Sequence, residues 1–231
     1  MLVISFASSK GGVGKSTTCV SLAGCYVKAG ARVHLIDLDS NLTASRWLKD
    51  ETARPPTLTV SAPDPQILTE HLQETARHYA PDVTLIDVAG SYERALTIAI
   101  ARANLTIIPC ATTEADIFEA ARIAGHIQTM YAAFDRVPLY RVLATRVAAL
   151  VTHAQAHAFR EIARLKLPLF ETVIPHRVAY EEVGLLGPPH LADARRPSTA
   201  KAITDLERLR SEIDTLLAAP EATLTADESA A

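Results

Sequence analysis

Short apolar runs of β type alternate with longer stretches of helical period along most of this chain. The runs are Leu2-Val3-Ile4-Ser5-Phe6, Val33-His34-Leu35-Ile36-Asp37, Val83-Thr84-Leu85-Ile86-Asp87, Leu105-Thr106-Ile107-Ile108-Pro109 and residues 139–145, with a shorter one near Thr172-Val173-Ile174. Each is rich in branched residues and too short for a helix, which is the signature of buried strands. The spacing predicts helices at about residues 17–29, 67–79, 92–102, 115–134 and 154–166. A last helix is expected over residues 197–217, with Ile203, Leu206, Leu209, Ile213, Leu216 and Leu217 on one stripe. Strand and helix in alternation predict an α/β fold, a mostly parallel sheet flanked by helices on both faces. Ligands of such sheets bind outside the carboxyl ends of the strands, so the residues that follow these runs carry the functional question.

Pro55-Pro56 and the stretch from Pro63 to Pro65 read as loop punctuation, not as a linker, and no internal repeat is visible. One domain is expected over residues 1–217. Residues 218–231, small, polar and acidic, are expected to be a disordered tail. With 231 residues and 48% hydrophobic content the chain is long enough for one sizeable core, and aromatics at 5% mean that Ala, Val, Ile and Leu must build it. A net charge of −3 argues against a general nucleic-acid coat but leaves room for a local basic patch. No run approaches the ~18 apolar residues of a membrane span, and the first apolar stretch is too short for a signal peptide. Cys19, Cys25 and Cys110 show no CxxC spacing and read as small buried hydrophobes of a cytoplasmic protein.

Lys10-Gly11-Gly12-Val13-Gly14-Lys15-Ser16-Thr17 lies between the first apolar run and the first helical one. Gly14, Lys15 and Ser16 fill the last three positions of the phosphate-binding pattern G-x-x-x-x-G-K-[ST], and Ser9 stands where its first glycine would be. Strand, glycine-rich loop and helix together let backbone N–H groups and the positive helix end converge on phosphates. Lys15 is placed to reach β- and γ-phosphates, and the Ser16 hydroxyl to ligate Mg²⁺. Asp87 ends a β-type run, as a Walker B carboxylate near the metal does; a helix N-cap is the simpler alternative. Asp37 and Asp39 stand two apart at one strand end. Neighbouring carboxylates resist joint ionisation unless a cation lies between them, so the pair suits Mg²⁺ and an attacking water; loop capping is the alternative. Lys10 is either a solvated loop residue or a second cation that approaches a phosphate from outside its own loop, for instance across a dimer interface.

Residues 10–17 are similar to the deviant Walker A of the ParA/MinD ATPases, and Asp37-Leu38-Asp39 resembles their A′ motif. The resemblance continues through Asp87 to residues 172–184 and covers the chain to about Leu217. It implies a P-loop NTPase fold, ATP and Mg²⁺ as cofactors, and slow hydrolysis of ATP to ADP and phosphate. It implies that Lys10, Gly11, Gly12, Val13, Gly14, Lys15, Ser16 and Thr17 bind the nucleotide. Lys10 would contact the nucleotide of the partner subunit in an ATP-sandwich homodimer. Lys15 would hold phosphate, Asp39 would position the lytic water, and Ser16, Asp37 and Asp87 would support Mg²⁺. Residues 172–180 resemble the late segment that lines the adenine pocket of small ParA proteins; Pro175 either packs against the base or merely ends a strand. Two departures stand out: Ser40-Asn41 follow Asp39 where the family often has Pro-Gln, and Val88-Ala89-Gly90 follow Asp87 where it often has x-Pro-Pro.

No segment precedes the first strand of this sequence, so the resemblance is to the short ParA type without an N-terminal helix-turn-helix. That type implies a cytoplasmic, nucleoid-associated protein whose ATP-bound dimer binds DNA non-specifically. Its hydrolysis is stimulated by a ParB-like adaptor, in the service of plasmid or chromosome partition. Two basic clusters offer phosphate contacts or are simply solvated faces: residues 136–166, and Arg195, Arg196, Lys201, Arg208 and Arg210. MinD-like membrane cycling needs a basic, apolar amphipathic C-terminus, whereas residues 218–231 hold acids and alanines with Leu224 as their bulky apolar residue, so no membrane partner is expected. Cys110 lacks the second cysteine of a cluster-bridging nitrogenase iron protein. The alternative within the family is an ATPase that positions another cargo or recruits a DNA-transfer (relaxase) complex.

Overall fold

The computed structural model describes residues 1–50, 54–88, 93–133, 136–150 and 152–219. Its strands are β1 (Leu2–Ala7), β2 (Val33–Asp37), β3 (Leu58–Ser61), β4 (Val83–Val88), β5 (Leu105–Cys110), β6 (Tyr140–Val147) and β7 (Ile174–Pro175). Its helices are α1 (Lys15–Lys28), α2 (Thr43–Trp47), α3 (Leu68–His78), α4 (Glu93–Arg102), α5 (Glu114–Ala132), α6 (His153–Arg164), α7 (Val178–Glu181), α8 (Val183–Leu186) and α9 (Pro197–Ala218). The strands make one sheet in the order β3-β2-β4-β1-β5-β6-β7, and every pairing in it is parallel. The expected architecture is therefore present.

Each face of the sheet has its own core. Leu35 and Leu85 join Leu22 of α1 and Leu206 and Leu209 of α9 on one side. Their chain neighbours Ile36 and Ile86 join Leu96, Ile100, Ile117 and Ile123 of α4 and α5 on the other. Successive strand side chains point to opposite faces, so a strand covered on both must be apolar at consecutive positions. That is why β2, β4 and β5, buried along their whole length, read as continuous runs. The helices start where local chemistry directs: Thr113 and Thr152 cap α5 and α6 by accepting from Asp116 N and Gln155 N, and Pro197 occupies the first turn of α9.

Several elements differ from the sequence reading. β3 was not expected; it is a four-residue edge strand between two proline clusters, buried at Leu58 and half-exposed beyond it. The short helices α2, α7 and α8 were not expected either. β7 falls at Ile174–Pro175, overlapping the expected run around Thr172 only at Ile174, and its partner β6 is irregular between Thr145 and Val147. The residue between those two, Arg146, has a φ of 54°. In α9, Leu206, Leu209 and Ile213 are fully buried, whereas Ile203, Leu216 and Leu217 are half-buried. Asp205 is buried instead, through contacts described below. The three cysteines are free and buried. Among the described residues no helix is long and apolar enough to cross a membrane. The tail expected from Ala218 lies, beyond residue 219, outside the described residues, as do Ala89 and Gly90.

A polar seam closes the β3 edge. His34 of β2 bonds Thr59 Oγ1 through Nδ1 (2.7 Å) and Ser61 Oγ through Nε2 (2.9 Å), and Ser61 Oγ also meets His71 Nε2 of α3 (2.7 Å). Burial, with a smaller push from His71, lowers the His34 pKa to about 4. An unfolded histidine titrates near ~6.5, so between these values the unfolded chain takes up the proton more readily. Stability from neutral His34 is complete above that range and is lost as pH falls towards 4, by at most about 3 kcal/mol. Urea melts at pH 7.5 and 4.5 should show a clearly smaller acid loss for His34→Gln than for the wild type; equal losses would sink this account.

Candidate functional site

β1 runs into the loop from Ser8 to Gly14, and α1 begins at Lys15. Gly12 and Gly14 hold φ of 82° and 85°, a left-handed backbone that costs glycine little and other residues more. The loop carbonyls are tied down on one side. Thr145 Oγ1 donates to Val13 O (2.7 Å), Arg146 Nη1 to Gly12 O (2.8 Å) and Thr18 Oγ1 to Gly14 O (2.8 Å). The irregularity in β6 thus has a use: it aims two consecutive residues, Thr145 and Arg146, at the loop. A loop of this shape makes a concavity of N–H groups suited to an anion.

A cavity of about 630 Å³ opens over the loop. Lys10, Gly11, Gly12, Gly14, Lys15, Ser16, Thr17 and Pro175 all line it, as does Asp39. Val13 is buried among the core residues. Trp47 of α2 faces the cavity from one side, and His176, Arg177 and Tyr180 from the other. The latter segment is pinned to α9. Arg177 gives Nε (2.6 Å) and Nη2 (3.1 Å) to the Asp205 carboxylate, which also accepts from Tyr180 OH (3.4 Å). That pairing explains the buried acid on α9.

The charged groups meet beneath the loop. Lys15 Nζ lies 2.8 Å from Asp87 Oδ1 and 3.7 Å from Asp39 Oδ2. Burial by itself pulls the Lys15 ammonium down, but Asp87 and then Asp39 outweigh it, and its pKa stands above the ordinary value. Asp87 is wholly buried, and its Oδ2 has no hydrogen-bond partner. Asp37, also buried, is occupied differently: Oδ1 accepts from Asp39 N (3.0 Å) and Oδ2 from Ser45 N (2.8 Å). Burial raises its pKa, with Asp87 adding to the effect against those two N–H bonds. Asp37 therefore clamps the turn that presents Asp39, whose own Oδ1 accepts from Asn41 N (2.8 Å).

Among the described residues no group of three His, Cys, Asp or Glu is arranged to hold a metal on its own. The donor set nonetheless fits Mg²⁺ bound partly through phosphate oxygens and waters: Ser16, a hydroxyl residue, lines the cavity, and Asp87 Oδ2 is an orphaned buried carboxylate oxygen.

Lys10 goes elsewhere. Its ammonium pairs with Asp116 Oδ1 on α5 at 2.5 Å. The basic cluster near α9 is largely spoken for: Arg195 pairs with Asp193, Arg196 with Glu182 and Arg210 with Asp214. Lys201 and Arg208 are exposed with no acidic partner among the described residues. Thr145, Arg146 and Trp47 were not singled out from the sequence as nucleotide-site residues, and no motif marks them there; Arg177 falls in the 172–180 segment that was, without a role of its own.

Comparison with known proteins agrees with this geometry. The family model "CobQ/CobB/MinD/ParA nucleotide binding domain" matches residues 4–187. The virC1 protein of Rhizobium radiobacter is 33% identical over 123 residues, which is 52% of this chain. The match spans about half (53%) of that relative's length. A ParA protein of the same organism is 26% identical over 211 residues, covering 90% of this chain and 93% of its own. The solved ATP complex of a McdA variant from Cyanothece superposes with a TM-score of 0.74 at 15% identity, over 93% of this chain and 96% of that one. At that identity it speaks for the fold.

The buried Lys15–Asp87 pair makes a prediction of its own. Removing one partner of such a pair leaves an uncompensated buried charge, at a cost of about 3 kcal/mol. Lys15→Ala should lower the urea stability of the nucleotide-free protein by about that amount and abolish ATP binding in calorimetry. Adding Asp87→Asn should restore part of the stability but none of the binding; a fully stable, ATP-binding Lys15→Ala protein would refute the assignment.

Proposed function

The chain belongs to the CobQ/CobB/MinD/ParA nucleotide-binding family as a ParA/MinD-type member, and on that premise we propose that it is a partition ATPase. ATP would drive its dimerisation and its non-specific binding to DNA, and a ParB-like adaptor would stimulate hydrolysis to segregate plasmid or chromosomal DNA. The observation that carries this reading is the cluster beneath the loop: a buried lysine shared by two carboxylates, one of them open to a cavity of nucleotide size. The ParA relative and the ATP named in the McdA complex support the same reading.

In this reading the loop N–H groups and Lys15 cradle the β- and γ-phosphates, with Lys15 exchanging Asp87 for phosphate oxygen. Ser16 and Asp87 would hold Mg²⁺, which when bound would supply charge neutralisation on the transferring phosphoryl group. Asp37 keeps the Asp39 turn in place. Asp39 accepts a hydrogen bond from the water that attacks the γ-phosphorus as the bond to the β-phosphate oxygen breaks, giving ADP and phosphate. Pro175 and its neighbours receive the base. Lys10 serves the nucleotide of the partner subunit. DNA phosphates are met by exposed cations around α9, with Lys201 and Arg208 the most available and Arg195 next, because a charge already paired has less to offer.

Asp39→Ala should bind ATP as tightly as the wild type, hydrolyse it at least ~100-fold more slowly and persist as a dimer in light scattering. Hydrolysis at the wild-type rate would remove Asp39 from its role. Wild-type protein with ATP should shift a random DNA duplex at 50 mM salt and lose most of that binding by 200 mM, on the order of 10³-fold if six phosphates are engaged. Replacing Arg195, Lys201 and Arg208 with alanine should weaken it further, and an unchanged shift would clear this surface.

A further inference from the structure

Lys10 occupies a border position. Its residue lines both the nucleotide cavity and a second, open groove of about 720 Å³ between the phosphate loop and the start of α5. Phe118 stands in that groove with 68% of its surface exposed. The Lys10 ammonium is turned to the α5 side, onto Asp116. The two members of the pair are unequally fixed. Asp116 is 5% exposed, and its Oδ2 accepts from Thr113 Oγ1 at 2.5 Å while its own N–H bonds back to the same hydroxyl (3.3 Å). The Lys10 side chain is 40% exposed. The carboxylate is thus the anchor and the lysine the part that can swing.

A second tie holds the same stretch of loop. Ser9, the residue in place of the usual first glycine, donates its hydroxyl to Glu119 on the next turn of α5, and Glu119 also accepts from Arg122 Nε (3.0 Å). The bond from Ser9 and then that from Arg122 hold the Glu119 carboxyl below its usual pKa. The opening of the loop is docked on α5 by two side chains, one of them the lysine that the proposed dimer needs elsewhere.

We propose that Asp116 is a latch on Lys10: it parks the ammonium against α5 in the single chain, and the triphosphate of a second copy must displace it before the ATP-closed dimer forms. This rests on the reading above that ATP closes two copies around Lys10. The latch sets a threshold. A triphosphate, with its several negative charges, outcompetes one carboxylate, whereas ADP without a γ-phosphate leaves Lys10 where it is. Asp116 is a positioning residue, since it touches neither nucleotide nor metal in this arrangement.

The test uses Asp116→Asn, whose amide oxygen still accepts from Thr113, in an Asp39→Ala background that suppresses hydrolysis. Sedimentation in saturating ATP should show a dimer dissociation constant about fivefold lower than that of the Asp39→Ala parent, the size expected for releasing a half-exposed ion pair. Brief acetylation followed by peptide mass spectrometry should show Lys10 of the nucleotide-free chain labelled several-fold faster in the variant, which a purely structural role of Asp116 would not produce. Asp116→Ser provides the same readings if the amide disturbs the start of α5. A dimer no tighter than the parent's overturns the latch, whether or not labelling rises, and leaves the dimer reading standing. A tighter dimer with unchanged Lys10 labelling overturns it too. No ATP-dependent dimer in the parent or the variants overturns both.

Discussion

A carboxylate buried at the tip of a central strand needs a compensating charge or a full set of donors, and the site is arranged around how Asp87 and Asp37 meet that need. The parallel register puts the two acids level with each other on neighbouring strands, Asp37 opposite Asp87. Two like charges at one strand spacing cannot both stand in a dry interior unaided. Asp37 is answered by backbone N–H groups of Asp39 and Ser45, and Asp87 by the Lys15 ammonium. Because the answers differ, so do the consequences. The first fixes a turn and holds Asp39 at the cavity. The second leaves Asp87 Oδ2 unpaired and the lysine able to change partners.

The phosphate loop could not hold its shape from its own residues alone, since Gly12 and Gly14 are the positions that fold most cheaply into many conformations. Order comes from the far side of the sheet. Thr145 and Arg146, at the break in β6, take the carbonyls of Val13 and Gly12. The same break lies where β6 pairs with β7, just before Pro175 and the His176–Tyr180 segment meet the cavity. Arg177, doubly bonded to Asp205, carries that segment onto α9. The loop, the 175–180 wall of the cavity and the last helix are therefore tied together by side-chain bonds.

What was legible in the sequence follows from this division. Strands β1, β2, β4 and β5 are mostly apolar on both faces because both faces are covered, α3, α4, α5 and α6 follow a helical period because one face is, and α1 is small and apolar almost all round because it is buried from Thr18 to Tyr26. Those elements, and the acids and lysine at their ends, could be read directly. β3 could not: four residues at an edge, with prolines on either side, bury one side chain fully and leave no periodic signal. The places of Arg146 and Trp47 at the cavity could not be read for another reason. Their positions depend on a strand irregularity and on a short helix that only tertiary contacts support, and neither has a residue-level marker. The pairing of Lys10 with Asp116 joins a loop to a helix far along the chain, which spacing cannot reveal.

The two lysines of the loop now have parallel circumstances. Each is satisfied by an aspartate on a neighbouring element, Lys15 by Asp87 and Lys10 by Asp116. Neither waits as a bare cation, so phosphate binding is an exchange of partners, not a net gain of an ion pair. An exchange between similar interactions has a small free-energy difference, and small differences are what let a ligand at ordinary concentration move a population from one state to the other. The exchanges differ in location. Lys15 is held within its own chain, deep below the loop, whereas Lys10 lies at a surface groove, where in the proposed dimer a second copy would supply the phosphate. On the proposed reading, nucleotide binding and association would thereby be separable steps, with the γ-phosphate the group that both require.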